Sequence, residues 1–504
     1  MKNIGIEFED VGFLYDDGSA PLLAGFTCRF AEGWTGVVGA NGSGKTTLLR
    51  LAVGDLRPRT GRIRIPGPAL YGEQRTDVPP ADLGGFLRSA DPEACRLRGA
   101  LHVGGDWDRR WSTLSHGERK RTQIAVLLRR EPMVLAVDEP TNHLDGEARG
   151  LLIDALGAFR GVGLLVSHDR ELLDRLCARC LFLDPPEAIL RPGGYGEGAR
   201  EAARERTEAV RRREIARGER RRLEREADRR RRESERGEKG LSKKRLDAKD
   251  RDGRAKANLA RLTGKDGAAA RRLRNMEDRA ARAASKEEEI RPRKAYETGI
   301  ALPGTKSPRD YLLRLSAGTI PLGGGALRHP DLAVGRDDRV ALIGPNGAGK
   351  STLVERIIRS IDLPEGRVVY IPQEIDLDRS AAILDEARSL PRAELGRMMS
   401  VVSRLGSRPE RLLGSGAPTP GEIRKLLLAV GVAREPWLIV LDEPTNHMDL
   451  PSVECLEEAL GGFPGALLLV SHDTAFLRRL TRVRWMIDRA GEPESFDLRV
   501  RAWK

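Results

Sequence analysis

The chain has 504 residues with 88 Lys and Arg against 75 Asp and Glu, a net charge of +13, and is 39% apolar but only 4% aromatic. No stretch approaches the roughly 18 consecutive apolar residues of a bilayer-spanning helix, which excludes an integral membrane protein. The acidic, mixed start from Met1 to Phe13 lacks the regions of a secretory signal, and five scattered cysteines fit a reducing compartment, so a cytoplasmic location is expected.

In chain order, an apolar strand-like run from Trp34 to Val38 leads into Gly39-Ala40-Asn41-Gly42-Ser43-Gly44-Lys45-Thr46, and a helical pattern from Thr47 to Leu51 follows. A glycine-rich turn between strand and helix lets backbone N–H groups curl around phosphates, and the helix N-terminus favours negative charge there. Gly39, Asn41, Gly42, Gly44, Lys45, Thr46 and Thr47 are therefore candidate nucleotide-binding residues. Lys45 would reach the β- and γ-phosphates and the Thr46 hydroxyl would face Mg2+. Further on, the apolar strand Met133 to Val137 delivers Asp138-Glu139 at its C-terminal end, and the run Val162 to Val166 leads to His168. Asp138 suits Mg2+ held through its water shell, and Glu139 suits a base that polarises the attacking water. Cys177 and Cys180 form one CxxC without a second pair at zinc-finger spacing, and read as ordinary thiols on a helix.

The middle of the chain differs in kind. From Ala199 to Tyr296 there are 35 Lys and Arg against 20 Asp and Glu, a net of +15, and no aromatic residue lies between Tyr195 and Tyr296. So polar a segment cannot bury enough apolar surface to form its own globule. Ala202, Ala209, Ala216 and Leu223 recur every seven residues, while Ala269, Leu273, Met276, Ala280, Ala283 and Ile290 recur at three-four spacing with Glu287 interrupting. These patterns predict an antiparallel helical hairpin with a narrow apolar seam and a tip near residues 237–267. Lys243, Lys244, Arg245, Lys249, Arg251, Arg254 and Lys256 cluster at that tip as candidate contacts to RNA phosphates. The lack of aromatics argues against stacking on single-stranded bases and favours folded RNA.

The last third repeats the first. Gly344-Pro345-Asn346-Gly347-Ala348-Gly349-Lys350-Ser351, Asp442-Glu443-Pro444-Thr445-Asn446-His447-Met448-Asp449 and Val470-Ser471-His472-Asp473 copy their counterparts at offsets of 305, 304 and 304 residues. Three motifs in constant register indicate an internal duplication. Gly344, Asn346, Gly347, Gly349, Lys350, Ser351 and Thr352 form a second set of nucleotide-binding candidates, preceded by the run Val340 to Ile343 and followed by a helical pattern from Thr352 to Ile358. Asp442 (Mg2+) and Glu443 (base) follow the apolar run Trp437 to Leu441. Each His lies 29 residues beyond its Glu in both halves, and that repetition assigns His168 and His472 to γ-phosphate contact.

These residues resemble the ATP-binding cassette superfamily across both halves. The resemblance implies two P-loop α/β domains, each a RecA-like core with a helical subdomain, joined by the α-helical hairpin. The boundaries expected are 1–194, 195–298 and 299–504. It also implies a signature opposite each nucleotide, which Leu114-Ser115-His116-Gly117-Glu118 fits. The second copy, Pro418-Thr419-Pro420-Gly421-Glu422, is degenerate but aligned: Ser115 and Thr419 each precede their Asp by 23 residues. Ser115, Gly117 and Glu118, with Thr419, Gly421 and Glu422, thus join the nucleotide-binding candidates. Their departures, His116 and Pro418, bear on the hydrolysis rate more than on ATP binding. Gln74 and Gln373 look like the family's glutamine switch toward Mg2+, and Tyr15 sits where an adenine-stacking aromatic is expected.

Tandem cassettes, a charged helical linker, no membrane domain and Asp-Glu-Pro-Thr-Asn-His in both halves are similar to the ABC-F subfamily. Membership implies a Mg2+-dependent ATP hydrolase, expected as a monomer, with ATP and Mg2+ as cofactors and the ribosome as partner. The linker would approach P-site tRNA and the peptidyl-transferase centre of the rRNA, as a translation factor or in antibiotic target protection. The alternative is the ATPase subunit of a transporter with a separate membrane partner, for which the basic arm has no use. A DNA-associated cassette protein would carry its coil inside a cassette. Here Lys45 to Asp138 and Lys350 to Asp442 span 93 and 92 residues, leaving no room for one.

Overall fold

The computed structural model describes residues 4–16, 21–142, 144–185, 187–240, 265–290, 302–405, 407, 419–446, 448–491 and 495–503. The chain separates into two compact units, one formed by Met1–Gly198 with Tyr296–Lys504 and the other by Ala199–Ala295. Among the described residues no helix is long and apolar enough to cross a membrane.

In the first half, Val134–Asp138 and Val162–Val166 are buried at every position, as strands covered on both faces must be. They lie inside a six-stranded sheet with spatial order Ala69–Gly72, Val134–Asp138, Val162–Val166, Gly33–Gly39, Cys177–Asp184, Glu187–Pro192. All neighbours are parallel except the final antiparallel pair. A separate antiparallel sheet of Leu23–Ala31, Gly5–Phe13 and Thr60–Arg64 packs its Phe8, Phe26 and Phe30 over the helix Lys45–Val53. Helices Leu83–Arg88, Pro92–Ala100 and His116–Arg129 form the helical part.

The second half repeats this plan with two changes, the first being that its separate antiparallel sheet pairs the two strands Tyr311–Leu315 and Leu332–Gly335. Second, its main sheet has eight strands, because the hairpin Gly318–Leu322/Gly325–His329 joins it through parallel pairing with Ser495–Ala502. The central order Arg339–Ile343, Ala466–Val470, Leu438–Asp442, Val368–Ile371 matches the first half. Helices Leu377–Ser389, Arg392–Arg404 and Pro420–Val432 supply the helical part, with Met398, Val401, Val402, Leu426 and Ala429 in its core.

The second unit is the helical pair the heptads predict, built on Tyr195–Gly240 and Lys265–Glu289. Ala216, Leu223 and Ala227 are buried on the first helix, and Met276 and Ala283 on the second, with Ala280 against them. Glu287, which interrupts the apolar pattern, accepts from Arg220 Nε at 2.6 Å across the seam. An ion pair thus fills the gap in the hydrocarbon. The tip candidates Lys243, Lys244, Arg245, Lys249, Arg251, Arg254 and Lys256 lie outside the described residues.

One expectation fails. Cys177 and Cys180 lie on the strand Cys177–Asp184 and not on a helix, since the helix ends at Leu176 and the chain there pairs with Gly33–Gly39. Both thiols are buried, and the hydrogen bond with Cys180, with burial adding to it, raises Cys177 far above the usual thiol range.

Candidate functional site

Parallel strands that are neighbours in a sheet end on the same edge, so their C-terminal loops converge. In the first half this brings together the phosphate loop after Gly33–Gly39, Asp138 and Glu139, and His168 beyond Val162–Val166. They line one cavity of about 500 Å³ with Tyr15, Leu22, Gln74, Asn142 and Val166. Gly44 and Gly349 cap the following helices at φ 92° and 83°, a left-handed geometry that side chains resist. A Cβ on Gly39 would lie 2.3 Å from the Leu183 carbonyl oxygen, so the turn closes only around glycine.

Lys45 Nζ donates to the Gly39 and Ala40 carbonyls at 2.9 and 3.0 Å, and Lys350 makes the same pair to Gly344 and Pro345. Burial lowers both lysines, while Glu139 and Glu443 respectively are the leading groups that oppose it. The Thr46 hydroxyl donates to Asp138 Oδ2 at 2.7 Å, and Tyr71 Oη joins it at 3.0 Å. Tyr15 is 41% exposed at the cavity rim, its hydroxyl 3.0 Å from Thr47 Oγ1. In the second half the side chain that covers the equivalent glycine, Gly349, is Leu322, as Leu22 covers Gly44.

Glu139 and Glu443 stand at φ 46° and 49°, uncommon for residues with side chains. Their N–H groups donate to the Val166 and Val470 carbonyls at 2.8 and 2.9 Å, which holds the turn. Each carboxylate accepts from the N–H of its His, at 3.2 Å for His168 and 3.3 Å for His472. The imidazole Nε2 lies 3.0 Å from Glu139 in one site and 3.4 Å from Glu443 in the other. Burial pushes His472 down to about 3, with Lys350 and Arg149 adding to it, so its ring is neutral at physiological pH.

Burial pushes both glutamates up to about 8; Asp138 and Asp442 raise them further, and Lys45 and Lys350 oppose the rise. Folded, they hold protons that the unfolded chain releases near 4.5. Their contribution to stability is therefore complete below the unfolded value and is lost as pH rises toward 8. The Tm of nucleotide-free protein should fall across that window, and Glu139→Gln with Glu443→Gln should flatten the fall. Equal slopes for the two proteins would show that these carboxyls ionise freely.

The two halves meet reciprocally. Asp449 Oδ2 accepts from Asn41 N at 2.7 Å, and Asp145 Oδ2 accepts from Asn346 N at 3.3 Å. The other oxygen of each caps its own helix, at Ser452 N and Ala148 N. Burial would raise Asp449, but the bonds from Ser452 and Asn41 more than offset it and leave the carboxyl low. An asymmetric ion pair adds to this contact: Arg170 Nη1 lies 2.7 Å from the fully buried Glu457, which also pairs with Arg479 at 2.9 Å. The positions duplicating Arg170 and Glu457 are Thr474 and Ile153.

The signatures open their helices with capping boxes. The Ser115 N–H and hydroxyl both donate to Glu118 Oε2 at 2.8 Å, and Thr419 does the same to Glu422 at 2.9 Å. Gly117 lies against Leu144, where a Cβ would come within 3.0 Å. Gly421 sits in the first turn of Pro420–Val432, and Pro418 lies outside the described residues.

The motif reading missed one pair of cations. Lys120 is fully buried, its Nζ donating to the Glu73 and Gln74 carbonyls at 2.6 and 3.0 Å, and burial lowers it to about 8. Its duplicate Arg424 donates to the Gln373 carbonyl and, at 2.7 Å, to Asn446 O. Each ties a glutamine loop to the helix that follows the signature. Their common register, two residues beyond Glu118 and Glu422, was the available signal.

Among the described residues no three His, Cys, Asp or Glu side chains converge as a metal cage. Mg2+ in nucleotide sites asks for less, one or two carboxylates beside phosphate oxygens. The residues fit that demand: Asp442 is buried beside the Ser351 hydroxyl, a carboxylate and a hydroxyl of the kind that serve Mg2+ in such sites. Burial raises its carboxyl, with Ser351 and Lys350 pulling the other way.

The family model described as ABC transporter matches residues 25–142 and 327–446. The tylosin resistance ATP-binding protein TlrC of Streptomyces fradiae is 31% identical, the alignment covering 88% of this chain and 90% of that protein. The ribosome protection protein VmlR of Bacillus subtilis is 29% identical over 90% and 82% of the two chains. The energy-dependent translational throttle protein EttA of Escherichia coli K12 is 28% identical over 88% and 85%. Among solved structures, one called RNase-L Inhibitor superposes with a TM-score of 0.63 at 17% identity, over 97% of this chain and 90% of that one, a likeness of fold alone. With two cassettes in register and similarity to such relatives along most of its length, the chain belongs to the ABC-F subfamily of ATP-binding cassette proteins.

Proposed function

We propose that this chain is a ribosome-directed ATPase whose two cassettes clamp two ATP molecules and thereby position the basic arm near tRNA and the peptidyl-transferase centre. The reciprocal contact supports this reading best: Asp145 and Asp449 each reach the phosphate loop of the other half, the relation that head-to-tail sites require. One site combines Lys45 and Glu139 with Thr419 and Gly421. The other combines Lys350 and Glu443 with Ser115 and Gly117. Lys45 and Lys350 neutralise the β- and γ-phosphates. Thr46, Asp138 and Gln74, and Ser351, Asp442 and Gln373, would hold Mg2+, which supplies charge neutralisation at the phosphate oxygens when bound.

Glu139 or Glu443 in its ionised form, the proton it carries in the empty site having been released, then takes a proton from water as the water oxygen bonds the γ-phosphorus. The bond to the bridging oxygen breaks, leaving ADP and phosphate. His168 and His472 hold a γ-phosphate oxygen, so hydrolysis removes a contact present only with ATP. Differential contact of this kind is what biases a two-state clamp. The relatives' names, which speak of ribosome protection and a translational throttle, support a ribosomal partner.

Sedimentation with ribosomes tests the reading. Full-length protein should pellet with ribosomes under a non-hydrolysable ATP analogue and remain in the supernatant with ADP. Partition into membranes with a permease, and none with ribosomes, would favour the transporter alternative.

A further inference from the structure

We propose that Arg149 is a positioning residue for the second ATP site, supplied from the first half of the chain, and that it links the loops carrying His168 and His472. The inference rests on the ATPase reading above and adds a route between the two sites.

Arg149 lies on the helix Gly146–Gly157, one turn beyond the Asp145 that bonds the second phosphate loop. Its side chain is only 13% exposed, unusual for an arginine on a helix, and it has three partners. Nη1 donates to the His472 carbonyl at 3.3 Å and lies 3.5 Å from Asp169 Oδ2, while Nη2 pairs with Glu171. Asp169 directly follows His168. A single guanidinium therefore joins the loop that carries His168 to the backbone of His472. Between the loops lies a cavity of about 70 Å³, lined by Arg149 with His168, Asp169, Glu443, His472 and Asp473.

The placement has an electrostatic reason. Burial raises Asp169, Asp473 raises it further from across the junction, and Arg149 is the main cation opposing them. Two acidic loops approach each other, and the guanidinium stands where their repulsion would be greatest. His472 is then held at both ends of its backbone: its N–H donates to Glu443, and its carbonyl accepts from Arg149. Such double anchoring fixes where the imidazole points. The duplicate position is Val453, an aliphatic side chain that cannot donate a hydrogen bond. The bracing by Arg149 therefore runs from the first half to the second site, and Val453 supplies no counterpart of it.

The test compares full-length proteins in which only one site can turn over. Glu139→Gln isolates the second site and Glu443→Gln the first. Adding Arg149→Met should lower kcat at the second site by about tenfold with KM within about twofold, and leave the first site within about twofold. Arg149→Lys should restore part of the loss, since an ammonium can still donate to the carbonyl. Binding isotherms of a fluorescent ATP analogue to otherwise unmodified protein should lose their cooperativity with Arg149→Met, because the link between sites is reciprocal for binding. Equal losses at both sites with a lowered Tm would make Arg149 a packing residue and overturn the proposal, as would unchanged rates and isotherms. Should the unmodified protein show no turnover at all, the hydrolytic reading fails by itself, and the isotherms alone decide for or against Arg149.

Discussion

Glu139→Gln combined with Glu443→Gln is expected to produce a protein that binds ATP, hydrolyses it at least 10²-fold more slowly and stays on ribosomes. The substitution keeps the shape of each side chain and its bond to the His N–H, but an amide cannot take a proton from water. It also removes two carboxyls that burial already disfavours as anions, so the closed arrangement should lose none of its stability. Translation in a cell-free system should stop at stoichiometric amounts of the double variant. Pelleting of ribosomes with ATP should retain it, while the unmodified protein cycles off. Equal retention of the two proteins would refute a clamp released by hydrolysis.

Reversing charge at Lys243, Lys244 and Arg245 to Glu is the second large effect expected. Each phosphate contact contributes close to one unit to the slope of log affinity against log salt. Losing three should flatten that slope by about three units and weaken ribosome binding by at least tenfold at physiological salt. ATP binding should persist, because the phosphate loops lie in the other compact unit. An unchanged slope would mean that the tip does not meet RNA.

Strands were legible wherever an apolar run lay between turn residues. Val162–Val166 and Ala466–Val470 match their predicted limits, and Met133 to Val137 shifts by one because backbone pairing continues to Asp138 opposite Val166. The arm's seam followed from spacing alone, since a helix has one period and the segment has few apolar residues to place. What escaped depends on packing between distant segments. Nothing in a single sequence marks Glu139 for a left-handed backbone or places Arg149 beside His472. Asp145 and Asp449 stood inside the quoted motifs, yet their reach across the junction needs the second half in view. The cysteine pair was misjudged because a short apolar stretch after a helix reads equally as more helix.

The unlike ends of the Arg170–Glu457 pair make the two halves non-interchangeable. Were two copies of the first half to associate in the same manner, each Arg170 would face Ile153 and lose its carboxylate. Two copies of the second would set Glu457 against Thr474, an anion sealed from water with Arg479 alone to balance it. A stranded buried charge costs roughly 3–5 kcal/mol. The duplicated halves thus form a lock and key within one polypeptide, each half fitting its unlike partner better than a copy of itself.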